Sequence, residues 1–148
     1  MPQFTRLNQG WNAEPNAPEP TAHADGTDVV LRFYVNHFIY PGFREDDLGI
    51  LRFIDCERYR LGDTNDEGWY KGRCRYSGVA PEWGEFYELS GDDPACLAPT
   101  DWILIPGNRA NKRHFLFYFR DETFECLASA WRPEPSPENA LSREKVLG

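Results

Sequence analysis

The stretch "HFLFYFRDETFECLASAW", residues 114–131, decides the fold. Phe115, Phe117 and Phe119 alternate with Leu116 and Tyr118, and after a charged break the alternation resumes with Phe124, Cys126 and Ala128. Period two is the signature of an extended strand whose successive side chains point to opposite faces. Two such runs around Arg120, Asp121 and Glu122 read as a β-hairpin. With Asp121 and Glu122 at the tip, Phe119 opposes Phe124, Phe117 opposes Cys126 and Phe115 opposes Ala128. Large side chains on one arm then meet small ones on the other, the complementation that close packing requires. The face bearing Phe115, Phe117, Phe119, Phe124 and Cys126 is therefore expected to be core. The opposite face pairs Tyr118 with Glu125 and Leu116 with Leu127.

The same period runs upstream. In "TDVVLRFYVNHFIY", residues 27–40, Val29, Leu31, Phe33, Val35, His37 and Ile39 share one face, and "PGFREDD" closes the strand with a turn and a solvated acidic run. "LGILRFIDCERYRLG", residues 48–62, reads as one strand passing from apolar residues into alternating charge at 55–60. "WYKGRCRYS", residues 69–77, carries a basic stripe of Lys71, Arg73 and Arg75. Antiparallel pairing of these two runs sets Asp55 against Arg75, Glu57 against Arg73, Tyr59 against Lys71 and Cys56 against Cys74. The stripe is then answered by a neighbouring strand and needs no anionic ligand. "GEFYELSG", residues 84–91, and "DWILIP", residues 101–106, are shorter strands.

Assembled, these runs predict an all-β, mainly antiparallel single domain: a meander of about seven strands that forms a closed barrel or a sandwich. Closure is preferred because it removes the two edges that a meander leaves. Residues 1–28 read as an irregular Pro-rich N-terminal arm anchored by Leu7 and Trp11, residues 29–132 as the β domain, and residues 133–148 as a tail. Within that tail a short helix is expected over 137–146, with Ser136 as N-cap, Pro137 in the first turn and Leu141 docking it.

Composition bounds the function. The chain has 148 residues and a net charge of −8, which repels phosphate backbones and argues against nucleic acid and anionic membranes as partners. Thirteen of its sixteen cations are arginine, the side chain suited to fixed bidentate contacts with carboxylates. The opening residues carry no apolar leader and no apolar run reaches the length of a membrane span, so a cytoplasmic location is expected. Cys56, Cys74, Cys96 and Cys126 include no close pair, which reads as reduced thiols in a core and not as a zinc site. Phosphate-loop, dinucleotide and metalloprotease signatures are absent, and "TNDEGWY", residues 64–70, lacks the alternation of a calcium loop. Neither cofactor nor metal is expected.

The candidates that remain are few. His37, on the apolar face of its strand, could act as general acid or base with Asp55 or Glu57. His23 and His114 read as solvated. Tyr34, Tyr59, Trp69 and Tyr87, with Arg73, are the candidates to line a binding concavity, although a second core face would also account for so many rings. Two functions follow from different classes. One is a non-catalytic binding module for a small apolar ligand or a basic protein partner. The other is a small-barrel enzyme using His37. Oligomeric state is not legible.

Overall fold

The computed structural model describes residues 3–63, 80–82, 84–91, 101–106 and 113–142. These residues form strands β1 (Gln3–Arg6), β2 (Thr21–Asp25), β3 (Asp28–Tyr34), β4 (Leu48–Ile54), β5 (Arg58–Asp63), β6 (Phe86–Ser90), β7 (Ile103–Leu104), β8 (Arg113–Tyr118), β9 (Glu122–Ala128) and β10 (Ala130–Pro133). One sheet has the order β1-β6-β8-β9-β5-β7 and the other β10-β4-β3-β2, with antiparallel ladders throughout. Neither sheet closes into a barrel among the described residues, and neither order is that of a meander.

β8 and β9 form the hairpin read from residues 114–131, and Phe115, Phe117, Phe119, Phe124 and Cys126 are all buried on its core face. The register differs from the expectation by two residues: Phe117 opposes Phe124, Phe115 opposes Cys126 and Leu116 opposes Glu125. The loop is Arg120-Asp121, closed by the Phe119 N–H donating to the Glu122 carbonyl at 2.8 Å. Sliding the loop by one residue slides the ladder by two, and a two-residue slip leaves every side chain on its own face. The core was therefore readable although the partners were not.

The two sheets bury a common core. Phe33 of β3 meets Phe117 at 5.1 Å between ring centroids, and Phe53 of β4 meets Phe115 at 5.4 Å and Phe124 at 5.1 Å. Opposite Phe33 on β4 stands Gly49, where a Cβ would lie 2.7 Å from the Phe33 ring and 3.2 Å from Leu141. Only glycine leaves room for that ring. A second cluster, Ala80, Tyr87, Leu89, Leu116 and Tyr118 with Phe4, lies apart from this core. Tyr87 and Tyr118 are thus absorbed by a second packing face, the alternative that the aromatic count had raised.

Four expectations are corrected. The first strand stops at Tyr34, with an isolated bridge at Val35, and does not run to Tyr40, because the Asn36 carboxamide accepts the Phe38 N–H at 2.9 Å and turns the chain. Residues 48–62 are not one strand. Asp55, at φ +50°, turns the chain from β4 in one sheet into β5 in the other, its N–H donating to Asp28 and its carboxylate accepting from Ser129 Oγ at 3.3 Å. Ser129 marks the return crossing from β9 to β10, so the two corners brace each other. The arm is not wholly irregular, since β1 and β2 lie within it, one on an edge of each sheet. Trp11 is buried as expected and stacks on Phe33 at 5.9 Å.

The fourth correction concerns the basic stripe. Residues 64–79 lie outside the described residues, but Tyr59 of β5 opposes Cys126 on one side and Ile103 on the other, and Glu57 bonds Leu127 and Ile105. Both edges of the ladder at these two residues are filled by described strands, and the other side of the expected pairing, Lys71, Arg73, Cys74 and Arg75, lies outside the described residues. In the tail, the described helix is one turn at 140–142. Leu141 docks it in the core, as expected, but Asn139 takes the capping role, its Oδ1 accepting the Leu141 N–H at 3.2 Å.

Candidate functional site

Beyond β3 the chain makes a loop that is pinned at both ends. The Val35 N–H donates to the Asp47 carbonyl at 2.9 Å, the Asp47 carboxylate accepts the Arg44 N–H, and Phe43 is buried as an anchor. On the other side the arm runs beside the end of β3: Asn36 N–H bonds the Asn12 carbonyl, Glu14 N–H bonds the Tyr34 carbonyl, and Ala13 bridges Val35. Between loop and arm lies an open groove of about 300 Å³ lined by Glu14, Ala17, Glu19, Tyr34, His37, Phe38, Glu45 and Asp46.

Four acidic residues thus line the groove together with one histidine. The Glu14 carboxylate accepts the N–H groups of Asn16 and Ala17 at 2.7 and 3.0 Å, which fixes it in place. Glu19 and Asp46 have left-handed backbones, φ +45° and +68°, and are two of the three described non-glycine residues with positive φ. Glutamate pays about 1 kcal/mol or more for that conformation, and such strain gathers where a site needs a side chain aimed in one direction. Pro18 and Pro20, both buried, hold Glu19 out toward solvent between them. Beside the groove, Phe38 and Ile39 are 60 and 63% exposed. The His37 ring packs on Phe38 at 4.1 Å, and its Nδ1 is buried without a hydrogen-bond partner.

Of the residues singled out from sequence, His37 and Tyr34 meet in this groove. His37 does so from a loop and not from an apolar strand face, and neither Asp55 nor Glu57 lines the groove with it. Asp55 belongs to the sheet corner, and Glu57 accepts a hydrogen bond from Arg58 Nε at 2.9 Å. Tyr59 is buried in the core between the sheets. Tyr87 is buried in the second cluster, where its hydroxyl bonds the Glu82 backbone and burial pushes it up to about 12. Trp69 and Arg73 lie outside the described residues. Glu14 and Glu19 were missed, and Glu45 and Asp46 were read only as part of a solvated acidic run. One signal could have found the first two: from residue 7 to residue 31 the chain carries Glu14, Glu19, Asp25 and Asp28 but no lysine or arginine.

A second titratable cluster lies elsewhere. His114, expected in solvent, is buried, with Nε2 2.9 Å from Oε2 of the fully buried Glu125. Arg60, directly across the ladder from Glu125, donates to its Oε1 at 3.2 Å and grips Asp101 with Nε and Nη2. Arg113 holds Glu88 the same way, and Arg52 donates to Asp25, Asp28 and Glu134. These are the fixed carboxylate contacts that the arginine excess implied. Among the described residues no three histidine, cysteine or acidic side chains are grouped so as to hold a metal ion, and no helix is long and apolar enough to cross a membrane. Comparison with protein families, with curated proteins and with solved structures finds no match to this chain.

Proposed function

We propose that the protein is a non-catalytic binding module that engages a basic protein partner through the groove around His37. The observation that carries this reading is the coincidence of four carboxylates with the adjacent, exposed Phe38 and Ile39. Exposed apolar side chains bordered by charge are the composition of a docking surface, an apolar centre with a polar rim. Covering Phe38 and Ile39 is worth on the order of 3 kcal/mol together. The carboxylates add steering and selectivity, in keeping with the net charge of −8.

A small apolar ligand would need room between the sheets, and there the rings of Phe33, Phe53, Phe86, Phe115, Phe117 and Phe124 fill the space. We read the two sheets, packed on this common layer, as a sandwich, and the buried, unpaired Cys56 and Cys126 as fitting a reducing, cytoplasmic setting. An acid–base enzyme using His37 is the second reading, favoured by the open groove and the acidic residues that line it with His37. A general base is ordinarily oriented by a hydrogen bond, and Nδ1 lacks one.

Native mass spectrometry of the protein purified from its source tests the choice. Expected is a retained basic polypeptide that is lost when Phe38→Asp and Ile39→Asp are introduced together. A retained small molecule, or a partner held equally well by the double variant, would contradict the proposal.

A further inference from the structure

The proposed groove lies on the same sheet margin as β2, and this edge differs from the others. Sheet edges are normally blunted by proline, by cationic side chains or by extreme shortness. Within their own residues the other three end strands show these devices: β10 carries Arg132 and ends in Pro133, β1 ends in Arg6, and β7 has only two residues. β2, "TAHAD", has no proline, lysine or arginine, and Thr21, His23, Ala24 and Asp25 are exposed along it. It pairs β3 on one side only among the described residues. Roughly half of its backbone N–H and C=O groups therefore point outward, as alternate residues of a strand do.

We propose that this edge accepts an extended, cationic segment of the partner as an added strand, with one end of the segment entering the groove. The inference rests on the reading of the groove as a basic-partner site and specifies how the partner is held. Continuity supports it. Leaving β2 toward its N-terminal end, the same margin passes through Pro18, whose carbonyl accepts the Tyr34 N–H, and then through residues 12–14 alongside 34–36. Glu19 stands two residues before Thr21, where β2 begins, so a strand paired on β2 ends beside a residue that lines the groove. Charge supports it as well. The cations on the neighbouring strands are already answered, Arg32 by Glu138 at 3.3 Å and Arg52 by Asp25, Asp28 and Glu134 at 2.8, 3.0 and 2.6 Å. A cationic segment meets acid at the groove without meeting an unanswered arginine on β3 or β4. Main-chain pairing supplies the hold, and alternate side chains supply the selectivity.

The probe is a fluorescein-labelled eight-residue peptide alternating arginine and valine, with two relatives: one N-methylated at every arginine amide, the other at every valine amide. Binding to the full chain is read by anisotropy. A strand uses the amides of alternate residues on one edge, so one methylated peptide is expected to bind at least tenfold more weakly than the parent while the other binds within about threefold of it. Amides of residues 21–25 are expected to gain hydrogen-exchange protection in the complex. Equal binding by both methylated peptides, without new protection in β2, overturns strand addition. The Glu19→Gln/Glu45→Gln variant separates the two levels. Weakened parent binding there sustains the groove even if strand addition fails, unchanged binding removes the groove, and no binding of the parent to the native chain removes both.

Discussion

Glu19, at φ +45°, holds a backbone conformation that L residues avoid, with buried prolines on both sides. If that strain serves the groove, Glu19→Gly relieves it and removes a carboxylate at once. The expected outcome is an unfolding free energy, read from urea titration, that is unchanged or raised by up to about 1 kcal/mol, with severalfold weaker binding of an arginine-rich peptide. Tyr87 supplies a pH prediction. Its folded value of about 12 lies above the unfolded phenol near 10, so the neutral form stabilises the fold fully below about pH 10, and that contribution is lost as pH climbs toward 12. The unfolding free energy of the native chain, read from urea titration, should fall more steeply between about pH 10 and 12 than that of Tyr87→Phe, by on the order of 2 kcal/mol in total. At this scale the sequence was legible where alternation and burial agree, as for Phe33 or Phe117. It misled at both informative histidines. Asn36 bends the chain before His37 by a local hydrogen bond, and His114 follows Lys112 and Arg113 yet points toward a buried carboxylate contributed by another strand.

Asn139 is the clearest case of an element held by one side chain. Fully buried, it accepts from the N–H groups of Ile50 and Leu141 and donates to the carbonyls of Ile50 and Glu134, so all its hydrogen-bonding capacity is used. Asn139→Ala leaves the Ile50 N–H without its acceptor, while the Ile50 carbonyl keeps the Glu134 N–H, and should destabilise the fold by about 2 kcal/mol, with faster proteolysis after residue 134 as the local readout. Which elements could be read follows from what they bury. β3, β4, β8 and β9 each press an apolar row on the core, and alternation reveals such rows. β1 and β2 bury almost nothing, so their strands leave no hydrophobic period to find. The crossing at Asp55 was hidden because the alternation continues straight through it, and only the positive φ and the bond to Asp28 redirect the chain.

For the whole molecule, two sheets lock a layer of rings between them, and the acidic residues of the groove lie on the arm and on the loop after β3. The fold class was visible in that alternation. The pairing order was not, because ladders between strands far apart in sequence depend on crossings that no local pattern encodes. The groove was invisible for the same reason: Glu14 and Glu19 come from the arm, Tyr34 from the end of β3, and His37, Glu45 and Asp46 from the following loop. The central claim is that this groove is where a basic partner lands. The most direct measurement is a titration of isotope-labelled protein with octa-arginine, followed by amide chemical shifts at low and high salt. The account predicts perturbations confined to residues 14–19, 34–39, 45–46 and the adjoining β2, weakening as salt rises. Shifts centred on another surface, or scattered evenly over the acidic residues of the chain, would contradict it.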